Sequence, residues 1–229
     1  MARQKKQRWY RTSFLALKFD SIESELQIVR EYVTRMEGFF RSQKAHLENV
    51  VKTQKEHMTE EQYDQYLEIM SDDFWLLNSK FTPLMRESTF VAIMSLLEVE
   101  LVGLCHMIKR QKHISATFTK LPRATTLESV REYIKQQTGI NVGVQPTWKT
   151  MDTLNTIRNA LVHNDGRIKG KKNQVNGYVR RNRKIVGIYG KRRFPSDRIE
   201  LKDGFLEYTI DILIKWSNAA HRRLEPLHI

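Results

Sequence analysis

The chain has 229 residues, 40% of them hydrophobic and 10% aromatic, enough to fill one large core or two small ones. Five prolines, ten glycines and 28% charged residues exclude a collagen-like or low-complexity chain, and a single cysteine excludes a disulfide scaffold or a multi-cysteine metal site. A reducing cytoplasm is the expected setting. The net charge of +13 is unevenly placed: Arg3, Lys5, Lys6, Arg8 and Arg11 carry +5, and 166–196 carries +11 with no acid, which leaves the remainder at −3. Two concentrated basic segments on a near-neutral body suit a polyanion, because neighbouring cations add their fields and release counterions together. The lead does not read as an export signal, since only Phe14 to Leu17 follows before Lys18 and Asp20 interrupt.

In chain order, Asp20 with Glu23 reads as a helix cap, and Ile22, Leu26, Val29, Val33, Met36 and Phe40 then follow a 4-3 spacing that Leu47 and Val50 extend towards His57. Thr59 with Gln62 repeats the cap signature, and Tyr63, Tyr66, Met70, Phe74 and Leu77 form the stripe of a second helix. Thr82 followed by Pro83 reads as the start of a third, apolar nearly all round, running through Phe90, Met94, Leu97, Leu101, Leu104 and Ile108. Thr89 to Ile108 has the length of a membrane span, but Glu98 and Glu100 sit near its centre, so it is expected at the middle of a soluble bundle. Cys105 reads as core filler.

After a looser stretch, 113–123, Thr125 with Glu128 caps a helix ending near Gly139. A fifth helix, 148–164, buries Met151, Leu154, Ile157 and Leu161 and stops at Gly166. The basic segment reads as non-helical: glycines at 170, 177, 187 and 190 break it, Asn176-Gly177 is a turn signal, and β-branched runs suggest a small hairpin. Ile199 to Leu201 reads as a further strand, before a last helix with Phe205, Tyr208, Ile212 and Trp216 in register. The expectation is an all-α protein with a minor β insertion, organised as a basic lead (1–19), an N-terminal helical hairpin packed on the bundle (20–81), and a main helical domain (82–229) holding a basic β-like insertion at 166–202.

No Gly-rich phosphate loop, serine-nucleophile elbow or zinc-protease pair is present. Asp72 and Asp73 read as a solvated face, and no metal or other cofactor is assigned. The informative stretch is Ile157-Arg158-Asn159-Ala160-Leu161-Val162-His163-Asn164-Asp165-Gly166. A histidine can move the proton of a ribose 2′-hydroxyl or of the leaving oxygen, and a guanidinium can hold the phosphorane's charge, so the pair suffices for RNA cleavage. Spacing alone is a weak signal, because Arg41 to His46 and Arg223 to His228 repeat it. On one helix Asn159 and His163 lie about 40° apart, whereas Arg158 and His163 lie about 140° apart. Either the long arginine reaches around or two copies of the helix share a site. The last turn, whose dipole attracts positive charge, suits His163 to the role of a general acid or a phosphate binder. Against this stands an ordinary C-terminal histidine with Arg158 in a surface ion pair.

Arg158-Asn159, three residues, then His163, closing a helix that follows a long apolar helix, resembles the motif of the HEPN superfamily. Asn164-Asp165-Gly166-Arg167-Ile168, and the strand-like Ile199-Glu200-Leu201 before a final helix, also look like HEPN proteins of prokaryotic defence and toxin systems; the likeness covers Pro83 to Leu224. It implies a HEPN-like helical bundle that dimerises through the motif helix and acts as a metal-independent endoribonuclease, with Arg158 and His163 catalytic and Asn159 orienting them. It also implies an antitoxin or another defence-system protein as a possible partner. Where some family toxins carry a tyrosine two residues beyond the histidine, this chain has Asp165, and some members are inactive binding modules. Glu98 and Glu100 are candidates to support Arg158, or else pair with core-facing cations. Arg167, Lys169, Lys171, Lys172, Arg180, Arg181, Arg183 and Lys184 are the candidate RNA contacts, with Trp9, Tyr10, Tyr178 and Tyr189 placed to stack on bases or, for the last two, to pack the hairpin.

Overall fold

A computed structural model describes residues 13–144, 146–168, 171–191 and 194–227. It is mostly helical: α1 (Phe14–Lys55), α2 (Glu60–Leu76), α3 (Thr82–Gln111), α4 (Thr126–Thr138), α5 (Pro146–His163), α6 (Lys172–Arg181) and α7 (Phe205–Leu224), with β1 (Val186–Lys191) and β2 (Phe194–Leu201) forming one antiparallel hairpin before the last helix. The expected all-α architecture with a small β-hairpin is therefore present. Residues 1–12 of the basic lead, with Arg3, Lys5, Lys6, Arg8, Arg11, Trp9 and Tyr10, lie outside the described residues, while 14–19 belong to α1.

Helix α1 begins seven residues before the Asp20 cap read from sequence. Ser13 caps it instead, its side chain accepting from the Ala16 amide at 3.1 Å. The earlier start lets Leu15 and Phe19 join Ile22, Leu26 and Val33 in the core. Thr59 and Gln62 form the expected reciprocal cap of α2. None of α2's residues is buried, and it packs against α1.

The break expected at Thr82-Pro83 does not occur. A wide π-helical turn, Leu77–Phe81, joins α2 to α3 in one helix of 52 residues. Proline lacks an amide and crowds the carbonyl four residues back. The extra residue in the wide turn accommodates both demands, and the Thr82 hydroxyl donates to the Leu77 carbonyl at 2.8 Å. Helix α3 lies at the centre, burying Phe90, Ile93, Met94, Leu97, Leu101, Leu104, Cys105 and Ile108. Burial pushes the Cys105 thiol up to about 12, which matches a filler role.

Helices α4 and α5 stand where the caps place them, α4 closing on Gly139 at φ 74°. The basic segment departs from expectation. Lys172–Arg181 is a helix rather than a turn, with Gly177 inside it, because Val175 and Tyr178 plant one face in the core and tertiary burial outweighs glycine's low propensity. The strand read at Ile199 to Leu201 is the end of β2, in register with Val186, Gly187 and Ile188 of β1. Val186, Ile199 and Leu201 are buried. In α7 the buried face runs through Leu206, Thr209, Ile210, Leu213, Trp216 and Ser217, so Tyr208 and Ile212 stand at its margin rather than in it.

Candidate active site

Helix α5 presents the motif. Met151, Leu154, Ile157 and Ala160 fix it against the core, while Leu161 is only partly buried. Its end is set by Gly166, whose amide reaches back to the Ala160 carbonyl at 2.9 Å with φ 73°. A Cβ there would come within 2.9 Å of Arg198 Cγ, so glycine serves both the turn and the close approach.

Three groups hold the Arg158 guanidinium. It donates to Asn159 Oδ1 at 3.0 Å and to Ser95 Oγ at 3.5 Å, and it stands 3.9 Å from the Glu98 carboxylate. Its Nε is buried without a partner. Ser95 and Glu98 are one turn apart on α3, so a single stripe of the central helix meets the arginine. Glu100, two residues on, faces elsewhere and forms an ion pair with Lys18 of α1, which removes it from the motif's surroundings. Of the two candidate carboxylates, only Glu98 stands beside Arg158.

His163 is exposed and has no hydrogen bond or ion pair among the described residues. Within one chain Arg158 turns into α3 and His163 faces outwards, as the 140° separation requires. One copy does not bring them together. The alternative pairs are differently placed: Arg41 binds Asp203 at 3.5 Å, the Arg223 guanidinium donates to the Asn141 carbonyl at 3.3 Å, and His228 lies outside the described residues.

Beyond His163 the chain is pinned by Arg198 of β2, which stands 3.5 Å from Glu87 of α3 and 3.7 Å from Asp165. Burial raises the Glu87 pKa, and Arg198's charge and hydrogen bond work against that rise. Asp165 itself takes a left-handed backbone, φ 51°. Sequence reading missed Ser95, Glu87 and Arg198. Ser95 had a faint signal in its three-residue spacing from Glu98; the other two meet only through tertiary folding.

Among the candidate RNA contacts, Lys169 lies outside the described residues. Lys171 is committed to Asp152, 3.1 Å away, and is no open phosphate contact. Arg167 is exposed beside β2, its backbone bridged to Arg198, and Lys172 begins α6. Arg180 and Arg181 close α6, and Arg183 and Lys184 follow; all four are exposed with side chains unpartnered among the described residues. Tyr178 is 3% exposed and packs in the core, whereas Tyr189 is 57% exposed and open to stacking. Burial raises the Tyr178 hydroxyl's pKa, and the nearby Tyr208 adds to this. Comparison of the chain with family models, characterised proteins and solved structures finds no match.

Proposed function

We propose that the chain is a metal-independent endoribonuclease of the HEPN type, a cytoplasmic toxin or anti-phage defence effector. In this reading two copies of α5 form one site. The observation that carries it is the Arg158 guanidinium held 3.0 Å from Asn159 Oδ1, with His163 exposed one turn further along the same helix. One histidine takes the proton of the ribose 2′-hydroxyl, and the oxygen attacks the adjacent phosphorus. The guanidinium faces the phosphorane's charge. The second histidine gives a proton to the leaving 5′-oxygen as its bond to phosphorus breaks, so the ends are a 2′,3′-cyclic phosphate and a 5′-hydroxyl. The exposed cations at and just beyond the end of α6 hold the RNA backbone, and an antitoxin or other defence protein is the proposed restraint.

A second reading has its own observation. Arg158 is largely engaged by Ser95, Asn159 and Glu98 of its own chain, as suits a non-catalytic HEPN-like module binding nucleic acid or a partner protein. Incubating the purified protein with total RNA, with and without chelator, separates the two. Cleavage that survives chelator, leaves cyclic phosphate ends and falls roughly 100-fold or more in His163→Ala supports the enzyme. Intact RNA under every condition supports the binding module.

A further inference from the structure

The β-hairpin carries an outward row of side chains that ends beside the motif. Tyr189 of β1 stands opposite Arg198 of β2, and Arg198 is bridged in turn to Arg167, four residues beyond His163. Residues directly opposite each other on antiparallel strands project from the same face, with Cβ atoms about 4.5–5.5 Å apart. Alternation fixes which face that is. Ile168 and Ile199 are buried and Ile188 packs against the core, so their sequence neighbours Arg167, Arg198 and Tyr189 stand on the solvent side, and all three are exposed. Two strand spacings, about 10 Å, separate Tyr189 from Arg167. The hairpin register shifts just beyond Tyr189, and a bulge of that kind re-aims a side chain out of the regular pleat.

The three members of the row differ in what they leave open. Arg198 is engaged by Glu87 and Asp165, at 3.5 and 3.7 Å, and its stem lies over Gly166. It therefore ties the row to the chain leaving α5 and offers little charge of its own. The Arg167 side chain has no partner among the described residues. Tyr189, 57% exposed, offers the face of its ring. One open ring and one open guanidinium match the base and the phosphate of a nucleotide in an unpaired strand. A base inside a duplex keeps its faces on its neighbours and has none for a side chain, whereas every unpaired base presents a π-face whatever its identity. The acid-free segment around the row, 166–196, supplies the positive surroundings that a strand's other phosphates require.

We infer that Tyr189 stacks on an unpaired base next to the proposed site while Arg167 holds a phosphate of the same strand, so that the substrate is recognised as single-stranded RNA of any sequence. The inference names the substrate of the ribonuclease reading and rests on it; binding measured without cleavage separates the two. The full chain carrying His163→Ala is titrated with fluorescent RNA octamers of A, C or U, with an octamer of the same backbone that lacks bases, and with an RNA duplex. Threonine suits a strand but has no ring, so Tyr189→Thr is compared with Tyr189→Phe, and Tm is measured for each. Tyr189→Thr should weaken all the base-bearing octamers about tenfold while leaving the base-free octamer and the duplex unchanged, and Tyr189→Phe, which keeps the ring, should retain the parent's affinity. Arg167→Gln should lower the salt slope for the octamers by about 0.7, which Tyr189→Thr should not do. If Tyr189→Thr lowers Tm, the base-free octamer decides, because a disturbed fold weakens it along with the rest. Unchanged octamer binding in Tyr189→Thr, an equal loss on the base-free octamer, or a loss confined to one base overturns the inference. So does a Tyr189→Thr variant that binds RNA normally but loses self-association in sedimentation, since Tyr189 would then be a protein contact. Ring-dependent binding of unpaired RNA by a protein that never cleaves it keeps the row and sinks the ribonuclease; cleavage by a protein whose RNA binding ignores the ring does the reverse.

Discussion

Arg158 of α5 and Glu98 of α3 stand 3.9 Å apart, each about four-fifths buried, with Ser95 and Asn159 completing the arginine's surroundings. The carboxylate helps hold the guanidinium against α3. If Arg158 stabilises phosphorane charge, its position matters as well as its charge. Arg158→Lys should therefore lower cleavage roughly 100-fold, because a lysine cannot reproduce the fork that meets two acceptors at once. Glu98→Gln keeps the shape but removes the anchoring charge, and a loss of about tenfold is expected. Single-turnover rates on a defined RNA, with Tm measured in parallel, check both; wild-type rates in Arg158→Lys would remove the arginine from the chemistry.

Oligomeric state follows from the same helix. Arg158 and His163 diverge in one chain, so if the two act together a twofold axis near Asn159 would have to gather two of each. Val162 and Val99 border the motif and are 45% and 67% exposed, as a self-association face would be. Sedimentation should give a mass about twice the 27.2 kDa of one chain. Val162→Arg with Val99→Arg should give an inactive monomer. A monomer at micromolar concentration that still cuts RNA refutes the shared site.

The structure also shows which signals in the sequence were sufficient. Reciprocal caps at Thr59 and Thr125 and the glycine stop at Gly166 are local, and each lies where it was read. The errors arose where a local signal met a tertiary demand. Pro83 reads as a helix start because it usually is one, but a π turn lets the helix pass through it. Asn176-Gly177 reads as a turn because nothing nearby reveals that Val175 and Tyr178 are buried. The motif itself was legible as Arg158, Asn159 and His163, whereas its anchors Ser95, Glu87 and Arg198 come from α3 and β2, and contacts across such distances leave no spacing to read.

Helix α6 offers a test of that second error. Gly177 is helical, and a Cβ added there would meet only the tip of Arg181, at an ordinary 3.5 Å. Glycine inside a helix costs about 0.5–1 kcal/mol relative to alanine. Gly177→Ala should raise Tm by about 1–4 °C in a domain of this size. In a turn with left-handed backbone the same change would lower it, so the sign alone distinguishes helix from turn.

Glu37 of α1 and Arg86 of α3 make the most buried ion pair described, with bonds of 2.6 and 2.7 Å. Burial alone would lower the Arg86 pKa; the hydrogen bonds and charge of Glu37, with the charges of Asp203 and Glu207, together outweigh it and the net direction is upwards. Glu37→Ala removes the paired carboxylate and leaves the Leu201 carbonyl, 3.4 Å away, as the guanidinium's hydrogen-bond partner among the described residues, and should cost about 3–5 kcal/mol. Glu37→Met with Arg86→Met should cost far less, since both charges leave together. Denaturant titration of the two variants decides it: equal losses would mean that packing, not charge, makes the pair matter.

The acid-free stretch 166–196 begins three residues beyond His163 and so leaves the bundle next to the proposed site. Its open cations are clustered where α6 ends: Arg180, Arg181, Arg183 and Lys184 are all exposed and unpartnered among the described residues. A segment held by Val175 and Tyr178 in the core presents these charges from a fixed base. If they track the RNA backbone, each lost contact should reduce the salt slope of log affinity by about 0.7 for single strands. Changing all four to Ser should weaken binding across all RNA sequences and flatten the slope by up to roughly 3 units, with affinity falling far more at low salt than at high salt. The fold should be unaffected, because these side chains are exposed, and an unchanged Tm would show it. Unchanged binding and slope would make the segment a bystander and move the search to the lead around Lys5 and Arg8.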